Sequence, residues 1–320
     1  MTGYQALRES YAWLDLSARG RIRAVGEDRV RLLHAMCTSH IQQLQTGEGC
    51  YAFFLNPQGR ILADALVLAL PGALVIDTEP ETRQSLYAHL DKYIIADDVT
   101  LEDTTAETVA MGIEGPAAED VVSRLGAPIP SAPYSHQTWG ERLVIRLSVT
   151  GQPGFSIVAP AAHREALVHA IEAAGAAPAS GQDARVVRLE LGHPRYGEDI
   201  TDRYLPHETQ MLGAVHFNKG CYIGQEIVER VRSRGGVHRF LAPLEVEGDD
   251  PPEACTVITA DGKAVGEIAS AAWSPARGRI VALGYLRLGE IPQDAALACA
   301  GRAVRLVARK PLGSAESQAD

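Results

Sequence analysis

Lysine is scarce in this 320-residue sequence, which contains only Lys92, Lys219, Lys263 and Lys310. Arginine supplies the remaining positive charge, and 40 acidic residues outnumber 30 lysines and arginines, so the formal net charge is −10. Proteins that bind nucleic acid through its phosphates are normally basic. The charge balance therefore makes direct RNA or DNA binding by the whole chain doubtful.

Long apolar runs are also missing from the sequence. It contains no stretch of about 18 apolar residues, the length that a transmembrane helix requires, so we predict no contact with a membrane. Residues 1–10 lack the basic flank and apolar stretch of a secretory signal. We therefore expect a cytoplasmic protein.

The five cysteines are odd in number, widely spaced and never arranged as C-x-x-C. This pattern argues against a disulfide framework. A preformed zinc or iron–sulfur site usually draws about four ligands from closely spaced pairs, which this sequence does not offer. We therefore predict no resident metal site, and any thiol chemistry must depend on single cysteines.

The hydrophobic pattern changes along the chain. Hydrophobic residues make up 46% of the sequence, enough for a buried core. Up to residue 235, helical and strand patterns mix without a regular βαβ rhythm, and Asn56–Gly59 reads as the turn of a β-hairpin. From Arg239 onward, short strand patterns separated by turn residues replace helical periodicity. We predict an α+β fold over residues 1–235 and a small β-barrel or sandwich over residues 236–320.

Residues 217–226 carry the most informative pattern, F-N-K-G-C-Y-I-G-Q-E, which precedes an amphipathic helical stretch. We predict that Cys221 lies at the start of this helix, with Gly220 giving the backbone freedom to turn into it. The unpaired N–H groups and partial positive charge of a helix N-terminus stabilise a thiolate, and Lys219 would add to this effect. The alternative is a cysteine that is packed beneath the helix.

Residues 219–226, K-G-C-Y-I-G-Q-E, closely resemble the signature of the YgfZ family. Members of that family bind folate, are needed for the assembly or maintenance of iron–sulfur enzymes, and are related to the aminomethyltransferase (T-protein) of the glycine cleavage system. Further stretches that resemble the family extend over nearly the whole chain and are Trp13–Gly20, Val25–Arg29, Asn56–Ile61, Val187–Gly192 and Pro206–Glu208.

The resemblance implies a T-protein-like folate-binding fold, with two interleaved subdomains in residues 1–235 and a C-terminal β-barrel. It implies tetrahydrofolate, or a one-carbon derivative, as the cofactor, and it leaves a transient iron–sulfur cluster open as a second ligand. The implied partners are iron–sulfur assembly proteins or client enzymes, including those of tRNA modification. A single thiol cannot hold a cluster alone, so a second chain or a small molecule would supply the other ligands.

The resemblance also assigns site residues. Cys221 is the key thiol, and the residues of the same signature that we expect to bind the cofactor are Lys219, Tyr222, Gln225 and Glu226. The glutamate of the R-x-E-x-G motif contacts the pterin ring in the T-protein relatives, and Glu190 has that position here. A carboxylate suits the adjacent N–H donors of a pterin. The alternative for Glu190 is an exposed glutamate at the end of a strand.

The aminomethyltransferases carry two aspartates just after the hairpin, and one of them assists the chemistry. Here Ala63 replaces the first, while Asp64 remains as an acid for proton transfer, as a contact to folate or as a residue that caps a strand. This departure favours an accessory protein that depends on Cys221 over the alternative, a folate-dependent aminomethyl or methyl transferase that uses Asp64. A non-catalytic adaptor that docks partners is the third hypothesis.

A basic cluster follows the signature in an otherwise acidic protein. Its members are Arg230, Arg232, Arg234, His238 and Arg239. One interpretation is a solvated helix end and linker. The other is an anion site for the glutamate tail of folate or for an RNA phosphate. The sequence alone does not separate the two.

Overall fold

The structure is a computed structural model that describes residues 1–234, 237–287, 289, 291 and 295–307, and of Arg234 only the backbone. The α-helices in these residues are α1 (Gly3–Glu9), α2 (Arg29–Met36), α3 (Arg83–Asp91), α4 (Ala118–Arg124), α5 (Arg164–Ala173), α6 (Gly181–Glu190) and α7 (Gln225–Arg234). The strands are β1 (Ala12–Asp15), β2 (Gly20–Val25), β3 (Gly49–Leu55), β4 (Ile61–Leu70), β5 (Ala73–Thr78), β6 (Thr100–Asp103), β7 (Thr108–Glu114), β8 (His136–Trp139), β9 (Arg142–Ile145), β10 (Gly154–Pro160), β11 (Ala177–Pro178), β12 (Arg239–Val246), β13 (Val257–Ala260), β14 (Lys263–Ser274), β15 (Arg279–Arg287), β16 (Leu297–Cys299) and β17 (Arg302–Leu306).

Two sheets form the first part of the fold, and the chain passes between them. It begins in a six-stranded sheet of order β11-β1-β7-β10-β9-β8, enters a five-stranded sheet of order β3-β4-β5-β2-β6, and then returns to the first sheet. The predicted hairpin joins β3 to β4. The side-chain oxygen of Asn56 accepts hydrogen bonds from the amides of Gln58 (2.9 Å) and Arg60 (3.0 Å), which fixes this turn.

The two sheets pack against each other through an apolar layer. Leu66 and Leu68 of β4 lie in one buried cluster with Ile145 of β9. Because successive side chains of a strand point to opposite faces, β4 also contributes Ala63, Ala65 and Val67 to the core on its other face, beneath α2 and α3. The sheet interface therefore places β4 at the centre of the molecule.

Strands β12–β17 close into a barrel of order β12-β15-β14-β13-β16-β17. The predicted α+β fold with a C-terminal barrel is thus confirmed, and the barrel begins at Arg239. The predicted boundary at residues 235 and 236 and the final residues from 308 onward lie outside the described residues. Within the described ranges, no helix has the length and apolar character needed to cross a membrane.

Candidate functional site

A central cavity of about 670 Å³ lies where the two sheets and the N-terminal part of α6 meet. This volume is within the range of ~300–1,000 Å³ that small-molecule sites occupy. Its apolar lining includes Leu14, Leu66, Val149 and Met211. Its polar and charged lining consists of Asp15, Arg19, Tyr51, Asp64, Glu79, Tyr134, Ser148, Ser180, Arg185, Arg188, His193, Arg195 and Glu198.

Asp64 of β4 is a buried acid on the wall of this cavity, with only 6% of its surface exposed. Its carboxylate accepts a hydrogen bond from the hydroxyl of Tyr51, which lies on the neighbouring strand β3. Burial, followed by the nearby Glu79 carboxylate, raises the pKa of Asp64 to about 7. Asp64 therefore gains and loses a proton near neutral pH, as a general acid or base must.

Two arginines hold Glu79 in place. Arg19 donates to Glu79 and, through Nε, to Asp77 at 2.5 Å, and a nitrogen of Arg195 lies 2.7 Å from a Glu79 oxygen. Burial opposes the charged form of Arg19, but the two carboxylates outweigh burial and raise its pKa. These contacts fix a second carboxylate next to Asp64.

Asp64 differs from the other described carboxylates of the cavity in the group that donates a hydrogen bond to it. Asp15, Glu79 and Glu198 each have an arginine nitrogen within hydrogen-bond distance, at 2.5, 2.7 and 2.5 Å. Asp64 instead has the Tyr51 hydroxyl as its hydrogen-bond donor. A neutral donor stabilises a carboxylate less than an arginine does, so the partner of Asp64 does less to oppose its protonation.

Helix α6 forms one wall of the cavity. Its N-cap, Ser180, makes a capping box with Asp183. The α6 residues that line the cavity follow the pattern i, i+3, i+4 and i+7, which places them on one face of the helix. They are Gly181, Ala184, Arg185 and Arg188. The buried Arg188 guanidinium donates to Asp199 at 2.6 Å. This ion pair joins α6 to the following loop.

Glu190 ends α6 and does not line the central cavity in the described structure. It lies two residues beyond Arg188, which turns its side chain by ~200° around the helix axis. The buried carboxylate accepts hydrogen bonds from Tyr4 (2.5 Å), Ser274 (2.5 Å) and Arg8 (3.2 Å). Glu190 therefore joins α1 to the barrel. It is not the exposed glutamate of the alternative interpretation, and its position does not support the expected pterin contact.

Lys219 is buried and caps the C-terminal end of α2. Its Nζ donates to three main-chain carbonyls at 2.5, 2.7 and 2.8 Å, those of His34, Cys37 and Ser39. Such carbonyls at a helix end have no partner within the helix. Tyr222 is also buried, and its ring centroid lies 5.0 Å from the Lys219 Nζ. Both side chains hold the signature against α2, so neither reaches the central cavity.

The thiol of Cys221 is free and exposed. The prediction that it begins a helix is wrong, because α7 begins four residues later, at Gln225. The prediction that Lys219 assists the thiol is not supported, since the Lys219 ammonium is engaged by α2. The alternative of a cysteine packed beneath the helix is also wrong. The signature thus places an exposed sulfur on a segment whose neighbouring side chains are fixed.

The two last residues of the signature lie on α7, away from the central cavity. Gln225 is half-buried, and Glu226 is exposed and pairs with Arg230 at 2.5 Å. This contact is an i,i+4 ion pair within α7. None of the four signature residues expected to bind the cofactor lines the cavity, so among the predicted site residues the cavity brings in Asp64 alone.

The basic cluster is largely paired with acids. Arg230 contacts Glu226, Arg232 lies 3.6 Å from Glu229, and Arg239 donates to Glu208 at 2.9 Å. The Arg234 side chain lies outside the description. These ion pairs favour the interpretation as a solvated helix end.

Among the described residues, no set of three or more histidine, cysteine or acidic side chains is arranged to hold a metal ion.

Gly224 allows the signature to approach the β3–β4 hairpin. Its φ is +83°, and an added Cβ would lie 2.7 Å from the Asn56 carbonyl oxygen. We expect Gly224→Ala to lower the free energy of unfolding by about 2–3 kcal/mol in urea titrations. The control is Gly72→Ala, because Gly72 has a φ of +70° but open space around an added Cβ. Equal losses in the two variants would contradict a close approach at Gly224.

Sequence reasoning missed much of the charged wall of the cavity. Arg19 and Arg188 lie in stretches that carry the family resemblance, but no role was assigned to them. Tyr51 could have been found, because strand alternation on β3 places it on the same face as Phe53, whose partner across the hairpin is Asp64. Glu79 gives no comparable signal in the sequence, because the pairing of β5 with β4, which sets Thr78 opposite Ala65, is what carries Glu79 next to Asp64.

Comparisons with known proteins agree with this architecture. Residues 2–219 match the GCVT N-terminal domain family, and residues 239–311 match the glycine cleavage T-protein C-terminal barrel domain. The crystal structure of glycine cleavage system aminomethyltransferase T from Bartonella henselae superposes with a TM-score of 0.87 at 21% identity. It covers 97% of this chain and 88% of that one, which shows a common fold.

Curated relatives are similar over most of this chain. A chloroplastic protein of Arabidopsis thaliana with a provisional transferase name is 29% identical over 86% of this chain, which spans 65% of the length of that relative. An aminomethyltransferase of Picosynechococcus is 29% identical over 89% of this chain and 81% of its own length. These matches do not test the YgfZ branch, which stays a prediction from residues 219–226. Because the N-terminal domain match spans more than half of its length, the chain belongs to the glycine cleavage T-protein (GCVT) family.

Proposed function

We propose that this protein binds tetrahydrofolate in the central cavity and supports the assembly or maintenance of iron–sulfur enzymes, including those of tRNA modification, through Cys221. The observation that carries the proposal is the exposed Cys221 thiol on a fixed segment. Lys219 and Tyr222 are buried on either side of it, and the amide of Ile223 donates to the Ala35 carbonyl at 3.1 Å. The YgfZ resemblance of the same residues supports this function.

The cavity suits a folate in shape and chemistry. Tyr51 and Tyr134 present nearly parallel rings, with centroids 6.4 Å apart and planes inclined by 23°, and aromatic walls favour a flat pterin. Arg185 also lines the cavity, where it pairs with Glu198, and a guanidinium is the group that suits the carboxylates of a glutamate tail. Titration calorimetry with tetrahydrofolate should give saturable binding with one site per chain, and an absence of heat at millimolar folate would contradict this part of the proposal.

Cys221 would act outside the folate cavity, which its position does not reach. One thiolate cannot hold an iron–sulfur cluster, since clusters are bound by about four protein ligands. The remaining ligands would therefore come from an assembly protein, a client enzyme or a small thiol that meets the exposed sulfur. A cytoplasmic location and a transient rather than resident cluster are parts of the same proposal.

Cys221→Ser should abolish the support of iron–sulfur enzymes without unfolding the protein. The variant replaces the gene in cells, and the readout is the activity of radical-type tRNA-modifying enzymes together with the level of soluble variant. We expect at least a fivefold loss of that activity. Cys255→Ser is the matched control, because Cys255 is also free and exposed, and it should leave the activity unchanged.

Full activity in the Cys221→Ser strain would contradict the proposal. Partner binding that survives both Cys221→Ser and the removal of folate would instead indicate the non-catalytic adaptor. The two variants are chemically identical changes on one protein, so a general effect of removing a surface thiol would reduce activity equally in both.

A folate-dependent one-carbon transferase is the second candidate, and the geometry of Asp64 favours it. An acid with a pKa of about 7 on the wall of the cavity is suited to move a proton during aminomethyl or methyl transfer. The purified protein should then catalyse repeated transfer of the one-carbon group from an aminomethyl donor to tetrahydrofolate. Asp64→Asn should stop the reaction, whereas Cys221→Ser should not, which is the reverse of the result expected from the first candidate.

A further inference from the structure

A second depression, of about 490 Å³, lies on the outside of the molecule, where α1, the N-terminal part of α6 and the end of β14 meet. It shares no lining residue with the central cavity in the described structure. We call it the outer groove and define it by Tyr4, Glu9, Asp183, Val186, Trp273 and Pro275. Neither the folate site nor Cys221 accounts for it.

Two aromatic side chains line the outer groove. Trp273 is 37% exposed. Among the described residues, it is the one aromatic residue in the set of exposed large hydrophobic side chains. The Tyr4 hydroxyl donates to Glu190 at 2.5 Å and accepts from the Ala276 amide at 3.2 Å, so its ring is held in place. Fixed aromatic surfaces lose little conformational entropy on binding, which is why tryptophan and tyrosine dominate the binding energy of interfaces.

The charge of the outer groove has one sign. Glu9 and Asp183 line it, and no lysine, arginine or histidine does so among the described residues. The Glu9 side chain is 57% exposed and has Arg8 as its partner at the long distance of 3.5 Å. The Asp183 carboxylate caps α6 at its own N-terminus. Aromatic faces next to carboxylates attract a cation, and a planar guanidinium uses both contacts at once.

We propose that the outer groove is a docking site for an arginine side chain that a partner protein presents. The guanidinium would stack on Trp273 and pair with Glu9, while the aliphatic part of the arginine would cover Val186 and Pro275. Nucleic acids and free folate are anionic, and this lining offers them no cationic side chain among the described residues. The charge complementarity therefore identifies a basic protein segment as the occupant.

The position of the outer groove gives this docking site a structural connection to the central cavity. Gly181 and Arg185 face the cavity, whereas Asp183 and Val186, on the other side of the same helix, face the groove. A partner that is bound in the groove would thus contact the helix that forms a wall of the folate site. The inference does not depend on the proposed function, because peptide binding can hold where folate binding or the role of Cys221 fails.

The test uses the full chain and a fluorescein-labelled peptide with the sequence Gly-Arg-Gly-Arg-Gly, measured by fluorescence anisotropy at low salt. Peptides in which glutamine or glutamate replaces arginine are run beside it. We expect saturable binding of the arginine peptide, at least tenfold weaker binding by Trp273→Ala, and about threefold weaker binding by Glu9→Gln. Trp273→Phe keeps an aromatic face and should retain most of the affinity.

Trp139→Ala is the matched control, since Trp139 stacks on Arg142 at 4.6 Å in a different sheet. It should bind the arginine peptide like the wild type. The proposal is overturned if the arginine peptide does not bind, if the glutamine peptide binds equally, or if Trp273→Ala and Glu9→Gln both bind normally. Preferential binding of a labelled uridine oligonucleotide would overturn it in favour of an RNA surface.

Discussion

Asp64→Asn is expected to be more stable than the wild type at pH 8, by about 2–4 kcal/mol. The pKa of Asp64 is about 7 in the folded protein, against 3.8 for an unperturbed aspartate. The folded state therefore keeps the proton to a higher pH than the unfolded state does. The stability that this group contributes is present below pH 3.8 and is lost as the pH rises through 7. Asparagine does not ionise, and its oxygen can still accept from Tyr51.

Urea unfolding of both proteins between pH 4 and pH 8 measures this effect, and the difference should grow as the pH rises. Asp15→Asn is the control on the same cavity, because hydrogen bonds from Arg164 and Ser17 outweigh burial and lower the pKa of Asp15. That change should reduce stability at pH 8. If Asp64→Asn were also less stable at pH 8, the arginines near Asp64 would stabilise its anion, and its role as a proton donor would be excluded.

The stability that we expect Asp64→Asn to gain at pH 8 bears on the function of Asp64. Natural proteins retain a destabilising group where activity requires it, so removing such a group commonly raises stability at the expense of function. Burial of Asp64 beside Glu79 is costly at neutral pH, and the Tyr51 hydrogen bond offsets only part of that cost. A stabilised Asp64→Asn protein that has lost a folate-dependent activity would show that the buried acid is retained for chemistry.

The parts of the fold that the sequence predicted are those with local signals. The β3–β4 hairpin depends on the Asn56 turn and its neighbouring amides, and alternating short strands after Arg239 predicted the barrel. Each of these features is determined by a few residues that are adjacent in the sequence. Asp64 was predicted as a site residue from the resemblance to the aminomethyltransferases, which carry an acid at this position, and the structure places it on the cavity.

The errors concern contacts between residues that are distant in sequence. Nothing near Lys219 reveals that its ammonium lies against α2, and the helical pattern after Cys221 does not show that Gly224, with its φ of +83°, delays the helix. Glu190 was separated from the cavity by the rotation of α6, a helix that the sequence analysis did not predict. Tertiary packing, rather than local preference, determines all of these positions.

Lys219→Met is expected to lower the free energy of unfolding by about 2–4 kcal/mol. Methionine keeps the length of the side chain but removes the donor of three hydrogen bonds to the end of α2, and buried carbonyls without a donor are costly. Lys92→Met is the control, because Lys92 is exposed at the end of α3. It should change stability by less than about 0.5 kcal/mol.

Lys219→Met also separates two proposed roles of residues 219–226: the attachment of this segment to α2 and the chemistry of the Cys221 thiol. Cys221 keeps its sulfur in Lys219→Met, but the segment around it loses its attachment to α2. Hydrogen exchange of residues 217–224 should therefore become faster, while alkylation of the exposed thiol should proceed at the wild-type rate. If iron–sulfur enzymes lose activity in this strain at equal protein levels, the fixed position of Cys221 matters as well as its chemistry. Unchanged exchange in residues 217–224 would show that Lys219 does not hold the segment.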